Sequence, residues 1–183
     1  MSTPYALGPM PTASRMTTID ERLVAAPLEV VFVLAVEVER WPALLPHYRF
    51  VRMLERRSDG GGLVEMSANR DFGPFPWPTW WTSMMSVSRP EHARSPSIRF
   101  RHVRGITTGM EVEWSFASSH AGTHVRIVHA WNGPPWPMIG DVAARVVIGP
   151  VFVHGIAKRT LAGLAHAAER TMTHDSSTEV ASG

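Results

Sequence analysis

The chain has 183 residues, 44% of them hydrophobic and 19% charged, with a formal net charge of +2; this is typical of a globular domain and excludes a disordered chain. It contains no cysteine, which excludes disulfides, thiolate metal sites and a cysteine nucleophile. The arginines alternate with other residues instead of clustering, so we expect no nucleic-acid binding. No apolar run is long enough to cross a bilayer, so we expect no transmembrane segment. No signal-peptide pattern is present, so we expect a cytoplasmic protein.

The first predicted elements follow a proline-rich stretch, residues 1–16, which we expect to be a flexible arm. Residues 17–25 alternate as a first strand. Pro27 stands where a helix can begin without losing a hydrogen bond, and it predicts a short helix over 28–36. A second short helix is predicted over 41–47.

From residue 48 the hydrophobic period changes to two, which is typical of β-strands. Glycine- and proline-containing turns separate the alternating runs, and such short links favour antiparallel neighbours. Strands are predicted at 48–57, 63–71, 79–89, 97–104, 110–117 and 123–132.

After Gly133 the pattern is helical to about residue 170, with a kink expected at Pro150, and residues 172–183 are expected to be a disordered tail. We therefore predict an α+β fold with one domain over 17–171. In it, a curved antiparallel sheet of about seven strands wraps around a long C-terminal helix, with two short helices after the first strand.

Strand alternation sorts the side chains into an inner and an outer face. The outer face carries Arg99 and Arg101 opposite Glu111 and Glu113, which predicts solvated ion pairs that contribute little to stability. The inner face combines aromatic and sulfur side chains with a few polar groups: Trp81, Ser83, Met85, Phe100, His102, Met110, Trp114, His129 and Trp131.

Aromatic walls with a few convergent polar groups indicate a small-molecule cavity. The alternative is a dense core in which the tryptophans and histidines find ordinary hydrogen-bond partners. The inward histidines His102, His129 and His154 also raise a zinc hypothesis. They lack short ligand spacing and a nearby carboxylate, so we expect neither a metal nor an organic cofactor.

An unusual segment, residues 72–80, alternates proline with aromatic residues between two predicted strands. Proline stiffens the backbone and holds these aromatics out at low entropic cost. We expect Phe72, Phe75 and Trp77 to form a lid over the cavity. The alternatives are a contact between two copies of the chain in a homodimer and a contact with a membrane surface.

The element order, the helix from Ala26-Pro27 to Val36 and the Trp-Pro-Ala-Leu-Leu-Pro-His-Tyr segment over 41–48 resemble the START-like, helix-grip superfamily. Within it, the chain is most similar to bacterial polyketide aromatase/cyclases and the cyclase/dehydrase family. The resemblance covers residues 17–170 and implies a hydrophobic cavity between the sheet and the long helix.

The resemblance also implies which residues line that cavity. Residues at matching positions are Trp41, Leu45, Tyr48, Trp81, Ser83, Met110 and Trp114, with His102, His129 and His154 near polar positions. Aromatase/cyclases of the tetracenomycin type carry an arginine on the central strand, where this chain has Met85.

Two functions follow from the sequence and the resemblance. The first is a cofactor-free cyclase or dehydrase acting on a polyketide-like carbonyl compound. In it, His129 and His154 are the acid/base candidates, while Tyr48 and Ser83 orient carbonyl oxygens. The second is a non-catalytic carrier for a hydrophobic ligand such as a quinone or lipid, which Met85 in place of arginine favours.

Overall fold

The computed structural model describes residues 2–72, 75–93, 95–133 and 154–180, with the backbone alone described at 70–72, 75–77, 154 and 174–180. The strands are β1 (Met16–Val24), β2 (Tyr48–Arg56), β3 (Gly62–Phe72), β4 (Phe75–Ser88), β5 (Ser97–Gly105), β6 (Glu111–Ser119) and β7 (Gly122–Trp131). The helices are α1 (Leu28–Val36), α2 (Trp41–Leu44) and α3 (His154–Val180), and a 3-10 turn (Val38–Arg40) joins α1 to α2.

The seven strands form one sheet in the order β1-β7-β6-β5-β4-β3-β2, and every neighbouring pair is antiparallel. Strands consecutive from β2 to β7 are therefore neighbours, as the short turns predict, and β1 closes against β7. The predicted α+β fold, with a curved antiparallel sheet and a long C-terminal helix, is confirmed.

The hairpin of β3 and β4 is longer than predicted, because β4 begins at Phe75 and not at residue 79. Asp71 pairs with Pro76 and Asn69 with Pro78, so residues 75–80 of the proline-rich segment lie in a strand. Pairing of β4 with β5 starts only at Trp81. Two prolines two residues apart lack amide donors on the same side of the strand, and they fit a strand whose other edge pairs with no described strand before Trp81.

Helix α2 ends at Leu44, earlier than the predicted 41–47. Leu45 has φ −129° and ψ 91°, an extended conformation. Proline disfavours the helical conformation in the residue before it, so Pro46 accounts for the early end. The indole Nε1 of Trp41 donates a hydrogen bond to the carbonyl of Leu34 over 3.1 Å, which ties α2 to the end of α1.

Helix α3 packs against the sheet through one apolar stripe, with the buried side chains Ala157, Leu161, Leu164, Ala165 and Ala168. Their spacing of three and four residues is that of an amphipathic helix.

The helix continues to Val180, past residue 172, where a disordered tail was expected. The kink expected at Pro150 lies outside the described residues. Within the described part of the chain, no helix is both long and apolar enough to cross a bilayer.

The charged side chains on the outer face of the sheet are less exposed to solvent than expected. Glu111 is 7% exposed and forms ion pairs with both Arg99 and Arg101. The N-terminal segment covers these residues, because Arg99 donates to the carbonyl of Gly8 and Arg101 to that of Leu7. The alternation correctly assigned the face, but it could not show that a distant segment buries the central carboxylate.

The same N-terminal segment also contacts β2. The hydroxyl of Tyr5 donates to Glu55 Oε2 over 2.9 Å, and the guanidinium of Arg57 lies 4.2 Å from the centre of the Tyr5 ring. Interaction with the Tyr5 hydroxyl raises the pKa of Arg57 above its ordinary value. Ser2 forms a parallel bridge with Arg57. The residues expected to be a loose arm therefore make specific contacts with the sheet.

Candidate functional site

The inner face of the sheet is apolar and aromatic, as alternation predicts. Phe100 on β5 is 5% exposed, and on β6 Trp114 is 5% exposed and Val112, which pairs in register with Phe100, is 4% exposed. On β7, Ile127 is buried and His129 is half-buried. These side chains face α3, so the site lies between the sheet and the helix.

A chain of aromatic contacts crosses this face. The ring centroids of Trp41 and Trp114 are 5.6 Å apart with near-parallel planes, and Trp41 meets Tyr48 edge-on at 5.2 Å. Tyr48 contacts Trp81 at 6.3 Å, and Trp81 stacks on His102 at 5.8 Å with an interplanar angle of 18°. Such contacts add to the stability that burial alone provides. The aromatic side chains therefore pack against one another.

The aromatic chain leaves a cavity of about 60 Å³ between the sheet and α3. The described residues that line it are Trp41, Tyr48, Met66, Trp81, Phe100, His102, Thr107, Met110, Val112, Trp114, Ile127, His129, Ile156, Ala157 and Thr160. Sites for drug-sized ligands are roughly 300–1,000 Å³. The sequence left open a small-molecule cavity or a dense core. The structure has features of both, because a cavity exists and aromatic contacts fill most of the space around it.

Three histidines each meet a threonine hydroxyl: His102 and His129, which line the cavity, and His47, which contacts the lining residue Thr160. His102 Nδ1 lies 2.7 Å from Thr107 Oγ1, and His129 Nδ1 lies 3.3 Å from Thr18 Oγ1. His47 Nε2 lies 3.1 Å from Thr160 Oγ1. These contacts satisfy one nitrogen of each ring and fix its orientation, which a hydrogen-bonding or proton-transferring group requires.

Most of the predicted ligand-binding residues line the cavity. They are Trp41, Tyr48, Trp81, Phe100, His102, Met110, Trp114 and His129. The side chains of His154 and of the expected lid residues Phe72, Phe75 and Trp77 lie outside the described residues.

Four predicted residues do not line the cavity. Leu45 is fully buried, in contact with Gly163 of α3. Met85 is also fully buried, paired in register with Phe100. The indole of Trp131 donates to the carbonyl of Thr108 over 3.0 Å. Ser83 is fully buried, and within the described part of the chain its hydroxyl has no hydrogen-bond partner.

Several of the lining residues were not predicted from the sequence. Met66 shares the inner face of β3 with Val64 and Ala68, so alternation on that strand could have identified it. Ile156 and Thr160 are four residues apart on α3, which is the spacing of one helix face. No sequence pattern could have identified Thr107. It lies in the turn after Gly105, and only the geometry of that turn brings its hydroxyl to His102.

Charged groups play little part in the described site. Among the side chains that the structure describes, no three histidine or acidic residues lie together so as to hold a metal ion. The inner-face position where the resemblance implies an arginine is occupied by the thioether of Met85. The described polar groups that line the cavity are the imidazoles of His102 and His129 and the hydroxyls of Tyr48, Thr107 and Thr160, with the indoles of Trp41, Trp81 and Trp114.

Known structures share this architecture at low sequence identity. A protein from Thermus thermophilus has 18% identity and a TM-score of 0.68, with 85% of this chain and 98% of that chain covered. The Zhui aromatase/cyclase from a Streptomyces species has 20% identity and a TM-score of 0.67, covering 85% and 94%. A START superfamily protein from Mycobacterium smegmatis has 17% identity and a TM-score of 0.63, covering 85% and 99%.

Sequence comparison is consistent with these structures. No curated protein matches the chain. The model of one family, described as polyketide cyclase / dehydrase and lipid transport, matches residues 24–151. Since this match includes α1, α2 and every strand from β2 to β7, the chain belongs to the polyketide cyclase / dehydrase and lipid transport family.

Proposed function

We propose that the chain binds a polyketide-like or other hydrophobic carbonyl compound between the sheet and α3 and catalyses its cyclisation or dehydration. The observation that carries this proposal is that His102 and His129 line a cavity whose other walls are mainly aromatic and aliphatic. An apolar cavity favours the carbon skeleton of such a compound, and two imidazoles provide the polar chemistry.

In this proposal His129 and His154 act as acid and base. Aldol closure requires removal of a proton beside a ketone, and dehydration requires protonation of the departing hydroxyl group. Imidazole can do either near neutral pH. His102, oriented by Thr107, and the hydroxyl of Tyr48 would orient carbonyl oxygens. Ser83 is left out of this role, because its side chain does not line the cavity.

A ligand of this class needs more room than the cavity provides. The observed volume is about 60 Å³, several times smaller than a ligand site of about 300 Å³. The stacked rings of Trp41 and Trp114 would have to separate on binding. The β3–β4 hairpin continues outward from Trp81, a cavity residue, and we propose that Phe72, Phe75 and Trp77 close over the ligand as a lid.

The catalytic proposal is tested by His129→Gln and His154→Gln, assayed on a poly-β-ketone chain supplied by a minimal polyketide synthase. Loss of one acid or base is expected to lower product formation by about 100-fold or more, while ligand affinity changes little. His124→Gln is the matched control, because His124 lies on the same strand but faces solvent. Normal conversion by both test variants would show that these histidines are not the acid and base.

The second candidate function is that of a carrier. Its supporting observation is that the fully buried Met85 stands where the resemblance implies an arginine, and that the described residues lining the cavity include neither arginine nor lysine. A carrier would retain a quinone or lipid through purification and would show no turnover. Native mass spectrometry of freshly purified protein distinguishes the two functions, since a bound compound appears as a defined mass increment.

A further inference from the structure

Trp80 presents a large apolar side chain on the outer face of the sheet. It is 51% exposed, whereas the next residue, Trp81, is 6% exposed and lines the cavity. Ile106, which is 42% exposed, follows Gly105, and Gly105 pairs with Trp81. Two exposed large hydrophobic residues therefore lie near one another where β4 begins to pair with β5. Exposed apolar groups that adjoin one another are typical of interaction surfaces.

Two arginines flank Trp80. Arg49 Nη1 lies 3.4 Å from the hydroxyl of Ser67, and Ser67 pairs in register with Trp80. On the other side, Arg104 pairs in register with Thr82, two residues from Trp80 on the same face. Both arginines are exposed. Basic groups thus adjoin the indole on two sides.

Neither arginine is neutralised by a described carboxylate, in contrast to others on the outer face. Arg99 and Arg101 pair with Glu111, and Arg52 pairs with Glu65 over 3.0 Å. No ion pair to Arg49 or Arg104 is present among the described side chains. Their charge is therefore available to an external anionic partner.

We propose that Arg49, Trp80, Arg104 and Ile106, together called the docking patch, bind the surface of an anionic lipid bilayer. Tryptophan favours the interface between headgroups and acyl chains, and arginine is attracted to anionic headgroups. Strand β4 presents Trp80 to the bilayer and Trp81 to the cavity, so the patch places the site next to a source of hydrophobic ligand. This proposal does not depend on whether the site is catalytic.

A bilayer fits the patch better than a second copy of the chain does. In a two-fold contact the same surface meets itself, so Arg49 and Arg104 of both copies would share one interface. The described patch residues include no acidic group to pair with them, and like charges brought together are unfavourable. An anionic lipid surface provides the missing charge and tolerates exposed apolar groups.

The test measures binding of the full chain to vesicles of phosphatidylcholine mixed with phosphatidylglycerol, and to phosphatidylcholine alone. We expect sedimentation with the anionic vesicles only, weakened by salt because the attraction is electrostatic. Arg104→Gln is expected to lower the partition coefficient about fivefold. Trp80→Ser is expected to lower it at least as much and to reduce fluorescence quenching by brominated acyl chains.

Leu23→Ser is the matched control, because Leu23 is 49% exposed on the edge strand β1, which β7, β6 and β5 separate from β4. It is expected to bind like the wild type, and circular dichroism verifies that all variants are folded. Three outcomes would overturn the proposal: no binding of the wild type to anionic vesicles, equal loss in Leu23→Ser, or a lipid-free dimer that Trp80→Ser dissociates. The last outcome would assign the patch to a second copy instead.

Discussion

Gly163 of α3 lies directly against Leu45, and a Cβ at position 163 would clash with Leu45 Cδ2. Leu45 is fully buried, so its side chain has little room to turn away. The glycine therefore allows the helix to approach the segment that follows α2. This contact limits how closely α3 approaches that segment.

Gly163→Ala is expected to destabilise the protein by about 1–2 kcal/mol. Overpacking of a core costs about 1–3 kcal/mol, and the better helix propensity of alanine returns up to about 1 kcal/mol. Urea denaturation measures the change. In a Leu45→Ala background, the same Gly163→Ala substitution should stabilise the protein, because the clash is gone and the propensity gain remains. A destabilising effect of equal size in both backgrounds would show that the contact does not limit the helix position.

Glu111→Gln is expected to cost about 3 kcal/mol or more, because it removes the anionic partner of Arg99 and Arg101 at a site that is 7% exposed. Glu113→Gln is the control. The side chain of Glu113 is 31% exposed, and its Oε2 lies 3.7 Å from Arg99 Nη1. Its substitution should therefore cost at most about 1 kcal/mol. Chemical denaturation of both variants provides the comparison. Equal effects would mean that the N-terminal segment does not keep water from Glu111.

Met85→Arg tests whether this inner-face position can accept the arginine that the family resemblance implies there. Met85 is fully buried and does not line the cavity, so the new charge is expected to cost at least about 3 kcal/mol. Met85→Leu conserves the volume and should cost less than about 1.5 kcal/mol. Thermal denaturation checks both values. A stable Met85→Arg protein would mean that the cavity opens as far as β4 at this position.

Trp114→Ala is expected to enlarge the cavity, because it removes the ring that stacks on Trp41. The loss of stability should be about 3–5 kcal/mol, and the vacated space should bind a small aromatic probe such as naphthalene. The measurement is the rise in Tm on adding the probe. Phe116→Ala is the control, since Phe116 packs against Phe32 and does not line the cavity. An equal rise in both variants would contradict the assignment of Trp114 to the cavity wall.

Local sequence patterns determined the element order and the inner and outer faces of the strands. Alternation placed Phe100, Val112 and Ile127 on one face, and this follows because successive side chains of any strand point to opposite sides. Proline also acts locally, by restricting the backbone of the residue before it. Pro46 nevertheless ended α2 earlier than predicted, and the prolines near Trp77 proved compatible with a strand edge.

Only the tertiary structure decided how large the cavity is and which polar groups meet in it. The pairing of His102 with Thr107 depends on a turn, and that of His47 with Thr160 joins residues more than a hundred positions apart. The burial of Glu111 likewise depends on the carbonyls of Leu7 and Gly8, which hold its two arginine partners. Periodicity in a sequence reports which way a side chain points, whereas the volume left between layers depends on contacts among distant segments.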